Sequence, residues 1–399
     1  MRILFLTFQF PYPPLSGAAI KTLSLLDHLR ANHEVHLVSL RRGSPTSAQQ
    51  EWAANLEGVH TVELNKPRNA WSLLSSYIAR VPLRIERNRS GGMARLVEAQ
   101  LNAVRPHLVF VDGLSMAQYV PEQHRRRSIL HEHNAEYVIW QRQSEIESGL
   151  RRWVAATEAA RLRRYEALAV LQFETLFAVS EDDRQTLIEL GAEPSRVGVL
   201  PNIPDRALLD MPAPRFSDSA PVILYFGTLS WQPNIESLER ILSSILPAVR
   251  RRVPEARLIA AGVGASPALA GRVASTEGAQ FCGKVEDPEP LYRSARVLVD
   301  ATRSGGGTRL KVLNAFARGI PVVASSRAAE GLGATPGEHL LVADKEAEFT
   351  DAVVSILRDG DRWKALSENA RALIRARYVA EIAYRPLDEA VARIAVAGS

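Results

Sequence analysis

The stretch Arg303-Ser-Gly-Gly-Gly-Thr-Arg-Leu-Lys-Val-Leu-Asn-Ala-Phe-Ala-Arg-Gly-Ile-Pro-Val-Val323 decides how this chain reads. An apolar run ending at Asp300 precedes it and predicts one strand; Val322 to Ala324 predicts the next. Three glycines, Gly305, Gly306 and Gly307, stand between the first strand and a helix beginning near Thr308. Without Cβ atoms such a backbone can approach a ligand closely, and its N–H groups together with the helix N-terminus suit a diphosphate. Arg309 and Lys311 add two cations at the start of the same helix. The pattern is neither GxxxxGK[ST] nor GxGxxG, so NTPase and dehydrogenase readings lose support.

Outward from this segment, short apolar runs alternate with longer amphipathic ones, the signature of stacked βαβ units and parallel sheets. In the first half, strands are predicted at Ile3 to Phe8, Glu34 to Ser39, Leu108 to Val111, Ser128 to His131, Leu176 to Val179 and Val197 to Leu200. Ile20, Leu23, Leu26 and Leu29 mark one face of the helix between the first two. A proline-rich, aperiodic stretch from Leu200 to Pro221 reads as a connection. A second alternating series follows it: Val222 to Phe226, a helix from about Asn234 to Arg252, Leu258 to Ala261, Val297 to Asp300 and Val322 to Ala324. The expected fold is therefore α/β, two Rossmann-like domains facing a cleft, residues 1–205 and 206–378, with 379–399 packing back on the first.

Composition narrows the function. The 399 residues are 46% hydrophobic and 23% charged, enough for two full cores. A net charge of +5, spread along the chain, does not indicate nucleic-acid binding. Only six basic residues are lysine, an arginine bias that reads as a coding habit. The single cysteine, Cys282, excludes an internal disulfide framework and cysteine-based metal sites, and fits a reducing compartment. The start, MRILFLTFQF, runs straight into Pro11, Pro13 and Pro14 and reads as a strand rather than a signal peptide. No apolar window approaches the roughly 18 residues of a membrane span. The expectation is a cytoplasmic protein, peripheral to the inner face of the membrane at most.

Read in order, further segments resemble the GT-B-fold glycosyltransferases of family 4: Pro13-Pro14-Leu-Ser-Gly17, His133-Asn-Ala-Glu136, Val179-Ser180-Glu-Asp182, Gly227-Thr-Leu-Ser-Trp-Gln-Pro-Asn234, Gly283-Lys-Val-Glu-Asp287, the glycine-rich segment and Glu330-Gly331-Leu332. The resemblance runs nearly end to end. It implies a retaining, metal-independent transfer from a nucleotide-diphosphate sugar to an acceptor hydroxyl, with no other cofactor, as in polysaccharide biosynthesis. The donor would lie mainly in the C-terminal domain and the acceptor mainly in the N-terminal one. By the same resemblance the Gly17 turn faces the donor phosphates, and His133 is the active-site histidine that contacts the transferred sugar. Gly227, Thr228, Val285, Gly305 to Gly307, Thr308, Arg309 and Glu330 belong to the donor site, and Lys311 neutralises the leaving diphosphate. Two departures stand out. Asn314 occupies the place of a glutamate that holds the nucleotide ribose, and Thr228 and Asn234 stand where many relatives carry Arg and Lys.

Other readings stay open. A GT-B epimerase or phosphorylase shares the fold, and Asn314 suggests a noncatalytic partner subunit that binds nucleotide sugar or glycan. His131 and His133 fall on one strand face, as a metal pair would, but Glu132 lies opposite and no third ligand is evident, so no metal is assigned. Asp359-Gly360-Asp361 reads as a helix stop and restart, and Trp231 either stacks on a ligand or caps the helix that Asn234 starts. The segment Trp140 to Phe173 reads as a helix with a solvated face, Glu158 and Glu166 pairing its arginines. The alternative lays its arginines and aromatics on an anionic membrane. Oligomeric state is open.

Overall fold

The computed structural model describes residues 1–66, 70–303 and 309–397. The chain divides into two compact units, Met1–Pro201 with Tyr384–Ser399, and Asn202–Ala383. The chain crosses to the second unit at Pro201/Asn202 and returns to the first at Ala383/Tyr384.

The first unit holds a seven-stranded parallel sheet in the order β3-β2-β1-β4-β5-β6-β7. Its strands are β1 (Arg2–Thr7), β2 (Glu34–Arg41), β3 (Val59–Glu63), β4 (Leu108–Asp112), β5 (Ser128–His131), β6 (Thr175–Ala178) and β7 (Val197–Val199). The second unit holds a six-stranded parallel sheet in the order β10-β9-β8-β11-β12-β13. Here the strands are β8 (Val222–Phe226), β9 (Arg257–Ala261), β10 (Ala279–Gly283), β11 (Val297–Asp300), β12 (Val322–Ala324) and β13 (Leu341–Val342). Both are doubly wound. Chain order reverses between β1 and β4 in one and between β8 and β11 in the other, and at such switch points the loops leaving the strand ends part to form a crevice.

The central strands read correctly because helices cover both faces and their runs are continuously apolar: β4 is buried at all five positions. Three further strands are sheet edges: half-exposed residues break the apolar run in β3 and β10, and β13 is only two residues long. The second unit's core lies on both sides of its sheet: Ile223 and Tyr225 pack on one side, Val222 and Leu224 on the other.

The last helix, Arg385–Ala397, belongs to the first unit. Tyr384 at its head bonds the Ser24 hydroxyl at 2.8 Å, and Asp388 meets His28 at 2.8 Å. The helix Gly17–Arg30, capped by Ser16 through Ala19 N–H, turns Lys21, Thr22 and Leu25 inward as well as Leu26 and Leu29. The hydrophobic period alone missed the two polar residues.

Candidate functional site

Several of the sequence-predicted residues fall in two clusters, each at the switch point of its own sheet. In the second unit the strand ends of β8 and β11 bring Gly227, Thr228 and Asp300 to one edge. The helix Leu310–Arg318 begins there, so Lys311 lies in its first turn and Arg309 at its cap. Lys311 is buried: its Nζ sits 3.1 Å from Asp300 Oδ2, donates to Asn234 Oδ1 at 3.1 Å and lies 4.7 Å from the Tyr225 ring centre. Burial pulls the Lys311 ammonium below its usual range, against the attraction of Asp300. Burial pushes the Asp300 carboxyl up, but Lys311, Arg309 and the Thr302 bond outweigh it and hold the acid below the ordinary range. The result is a buried ion pair with a second cation beside it.

Asn234 is the third residue of its helix, Gln232–Arg240, not its cap; Trp231 holds the cap position without a side-chain bond. Helical structure continues through a π-turn at Ile241–Ile245 to Arg252. The Asn234 amide donates to Thr228 O at 3.0 Å, which folds the Gly227–Thr228 turn onto the helix. A Cβ on Gly227 would lie 3.0 Å from that amide, a tight contact that the Asn234 side chain would have to relieve. The indole of Trp231 lies 5.6 Å from the Arg309 guanidinium.

Other predicted residues are more dispersed. Val285 is half-buried in the loop after β10. Glu330 ends the short helix Ser326–Ala329 and pairs with Arg327 at 3.0 Å. Asn314 is not free for a ligand alone: its Oδ1 accepts from Asp205 N–H at 3.0 Å, and its side chain bonds the Tyr292 hydroxyl. Gly305, Gly306, Gly307 and Thr308 lie outside the described residues. Asp359 caps the helix starting at Gly360 through Arg362 N–H, at 3.0 Å, so the acidic pair is a helix stop and restart.

In the first unit the ends of β1, β4 and β5 place Thr7, Asp112 and His131 side by side. Asp112 Oδ1 lies 2.8 Å from His131 Nδ1 and 2.7 Å from His133 Nε2; Oδ2 accepts from Thr7 at 3.0 Å and Thr22 at 2.6 Å. Asp112 thus supplies the third group beside the two histidines that the sequence did not reveal. These three could hold a metal ion, yet one shared carboxylate oxygen already meets both rings at hydrogen-bond distance. Burial pushes the Asp112 acid up, but His133 and His131 overcome it and hold the acid far below the usual range. Burial lowers His131 to about 4 despite its bond to Asp112, so it is a neutral donor at physiological pH. Lys21, also buried, is lowered to about 7 by desolvation against the pull of Asp112; its Nζ donates to Pro201 O at 2.6 Å. Gly17 opens the helix that carries Lys21, with open space where a Cβ would stand.

Behind β5 a different set of acids holds the loop that carries His133. Glu166 accepts from Glu136 N–H at 2.9 Å and Tyr137 N–H at 3.1 Å, and Asp183 accepts from Ala135 N–H at 3.2 Å. Glu132 is buried beside Glu166, and burial pushes both carboxyls up, Glu166 to about 7. Asp112 and Asp300 end apolar strand runs and read as core; their one signal is a carboxylate at the carboxyl end of a parallel strand. Glu166 and Asp183 lie on helices distant in sequence from Glu132, and only the fold brings the three to one loop.

Sequence families decide the identity. The pattern of glycosyl transferases group 1 matches residues 220–359, and that of the glycosyl transferase 4-like domain matches residues 16–203. The chain is a group 1, family 4-like glycosyltransferase. An uncharacterized 44.6 kDa protein in the cps region of Klebsiella pneumoniae is 22% identical to it over 394 residues, covering 94% of this chain and 96% of the relative. Anabaena Alr3699/HepE, solved in complex with UDP and glucose, superposes with a TM-score of 0.68 at 16% identity, covering 98% of this chain and 99% of that one. WaaG, a glycosyltransferase involved in lipopolysaccharide biosynthesis, gives a TM-score of 0.67 at 13% identity over 97% of this chain and 98% of that one. At those identities the likeness speaks for the fold, and the glycosyltransferase has the GT-B architecture of two parallel sheets with helices. Among its described residues no helix is long and apolar enough to cross a membrane.

Proposed function

We propose that this glycosyltransferase moves a sugar from a nucleotide-diphosphate donor to an acceptor hydroxyl with retention of anomeric configuration. Residues 206–378 would take the donor and residues 1–205 the acceptor. The observation that carries this reading is Lys311, buried in the first turn of a helix that follows a glycine-rich segment and held by Asp300 and Asn234. Breaking the glycosidic bond leaves negative charge on the nucleotide, and a cation fixed in a low-dielectric site stabilises that charge more than a mobile one in water. Asp300 keeps the ammonium charged and aimed before the donor arrives, and the diphosphate then shares it. Arg309 supplies the second positive charge, so the reading assigns no metal ion and no further cofactor.

His133 would position the transferred sugar by hydrogen bonding rather than by moving a proton, since Asp112 fixes its ring. The HepE complex with UDP and glucose supports a nucleotide sugar as donor, and the role of WaaG in lipopolysaccharide biosynthesis supports a place in polysaccharide biosynthesis. The test is incubation with UDP-, GDP-, dTDP- and ADP-sugars, following nucleoside diphosphate release and the product's anomeric proton coupling. Release with one donor, and a product of the donor's configuration, is expected. Donor binding without release, restored only by a second protein, would make the chain a noncatalytic subunit instead.

A further inference from the structure

The helix Ala70–Ile78, AWSLLSSYI, is inside out. Its serines Ser72 and Ser76 are buried, while Trp71 and Ile78 are 68% and 72% exposed and Leu74 lies between them on the same face. Apolar residues at i, i+3 and i+7 normally turn to the core. Here the inward contacts are polar: Arg161 donates to Ser76 Oγ at 3.2 Å, to Ser76 O at 2.8 Å and to Val81 O at 2.6 Å, and stacks 4.2 Å from the Tyr77 ring centre. Those bonds hold the helix with its apolar side outward.

Arg161 belongs to the helix Gly149–Gln172, whose own outer face is of the same kind. Leu150 and Trp153 are 77% and 60% exposed, and Leu168 and Leu171 are exposed further along. Arg151, Arg152, Arg163 and Arg164 lie among them. No acid is exposed on this helix, because both of its glutamates turn inward: Glu158 accepts from Leu83 N–H at 2.7 Å and pairs with Arg161, and Glu166 accepts the two amides behind β5. The expected pairing of glutamates with this helix's arginines holds for Glu158 with Arg161, whereas Glu166 serves the backbone behind β5, so both acids lie on the inner side of the helix. The predicted helix breaks at Glu147–Ser148, where Glu136–Ile146 ends and Gly149 starts the next.

We infer that these two helices of the first unit form a docking face for an anionic lipid bilayer. Tryptophans at the border of an apolar stripe, with arginines beside them and no carboxylate between, match the interfacial region of a membrane, where rings sit at headgroup level and cations meet lipid phosphates. A second copy of the chain would set the same arginines against their like. A nucleic acid would meet the arginines but leave Leu74, Ile78, Leu150 and Leu168 without apolar partners.

The test is flotation of the full-length protein with vesicles of phosphatidylcholine alone or with about 30 mol % phosphatidylglycerol. Binding is expected to the anionic vesicles only, and to fall in about 0.5 M salt as the surface field is screened. A charge-reversed variant, R151E/R152E/R164E, should lower partitioning at least about tenfold, since each arginine near such a surface is worth roughly a factor of five. The double variant Trp71→Ser/Ile78→Ser, which alters only exposed side chains, should lower it too while keeping the parent's unfolding temperature. Equal binding to neutral vesicles, binding to neither, or undiminished binding by both variants would overturn the inference. So would concentration-dependent self-association that either variant abolishes.

Discussion

His133 Nε2 lies 2.7 Å from Asp112 Oδ1, and that oxygen also meets His131. A carboxylate can only accept, so the Nε2 of the His133 ring carries a proton toward Asp112 and its Nδ1 edge is left for another partner. Replacing Asp112 with asparagine would present either an NH₂ or a weaker oxygen and free the ring to change tautomer. Asp112→Asn should reduce kcat by roughly 10- to 100-fold, equivalent to about 1.4–2.7 kcal/mol, with little change in donor affinity. His133→Ala should lose turnover far more than stability. Steady-state kinetics paired with calorimetry of the donor nucleotide separates the two quantities. Unchanged kcat in Asp112→Asn would return this network to a purely structural role.

Glu132 and Glu166 make stability depend on pH. Both carboxyls are raised by burial, and Glu136 and Asp183 add like charge nearby. A folded-state value above the unfolded one gives stability that is full below the unfolded value and declines as pH rises through the folded one, here from about 4.5 toward 7 and above. Glu132→Gln supplies a permanent donor beside Glu166 and removes one ionisation. The variant should lose less stability than the parent between pH 5 and pH 8, with a gain on the order of 1–3 kcal/mol at the upper end. Thermal unfolding across that range measures the slope, and parallel curves for the two proteins would contradict the assignment.

Asn314 ties the helix Leu310–Arg318 to the segment entering the second unit. Its oxygen accepts from Asp205 N–H, and the Asp205 carboxylate caps the next helix through Ala207 N–H at 2.9 Å. A glutamate at this position would set a second carboxylate beside that of Asp205. Asn314→Glu should therefore lower the unfolding temperature by about 2–4 °C, the equivalent of roughly 1 kcal/mol, and leave nucleotide binding no tighter. Differential scanning calorimetry with and without nucleotide tests both halves. A variant that binds nucleotide more tightly at unchanged stability would show that the amide is a weakened ribose contact and little else.

Much of this was legible in one sequence, for identifiable reasons. Strands such as β4 and β8 are covered on both faces, so burial writes a continuous apolar run into them. Edge strands β3 and β10 carry no such run, and β13 is too short to stand out. Lys311 was visible because a lysine just after three glycines is chemically pointed, whereas its partner Asp300 ends an apolar strand and Asn234 lies 77 residues away in sequence. Asp112 is in the same position, at 21 residues from His133. The apolar spacing of Trp71, Leu74 and Ile78 in the helix Ala70–Ile78 would by itself point inward, and only the fold reveals that this side faces out.

In the proposed mechanism Lys311 holds the donor diphosphate. Removing the side chain outright would leave Asp300 buried without its counter-charge, a loss of several kcal/mol that could unfold the unit. Lys311→Gln avoids this by keeping a donor toward Asp300 while deleting the charge. The control is Lys364→Gln, at an exposed position on the helix Gly360–Arg377. Isothermal calorimetry of UDP, or whichever nucleoside diphosphate binds the parent best, should show Lys311→Gln weakened by roughly tenfold or more, the worth of about one charge-assisted bond, and Lys364→Gln unchanged. Equal affinity in the parent and a folded Lys311→Gln protein, or no nucleoside diphosphate binding by the parent, would contradict the account.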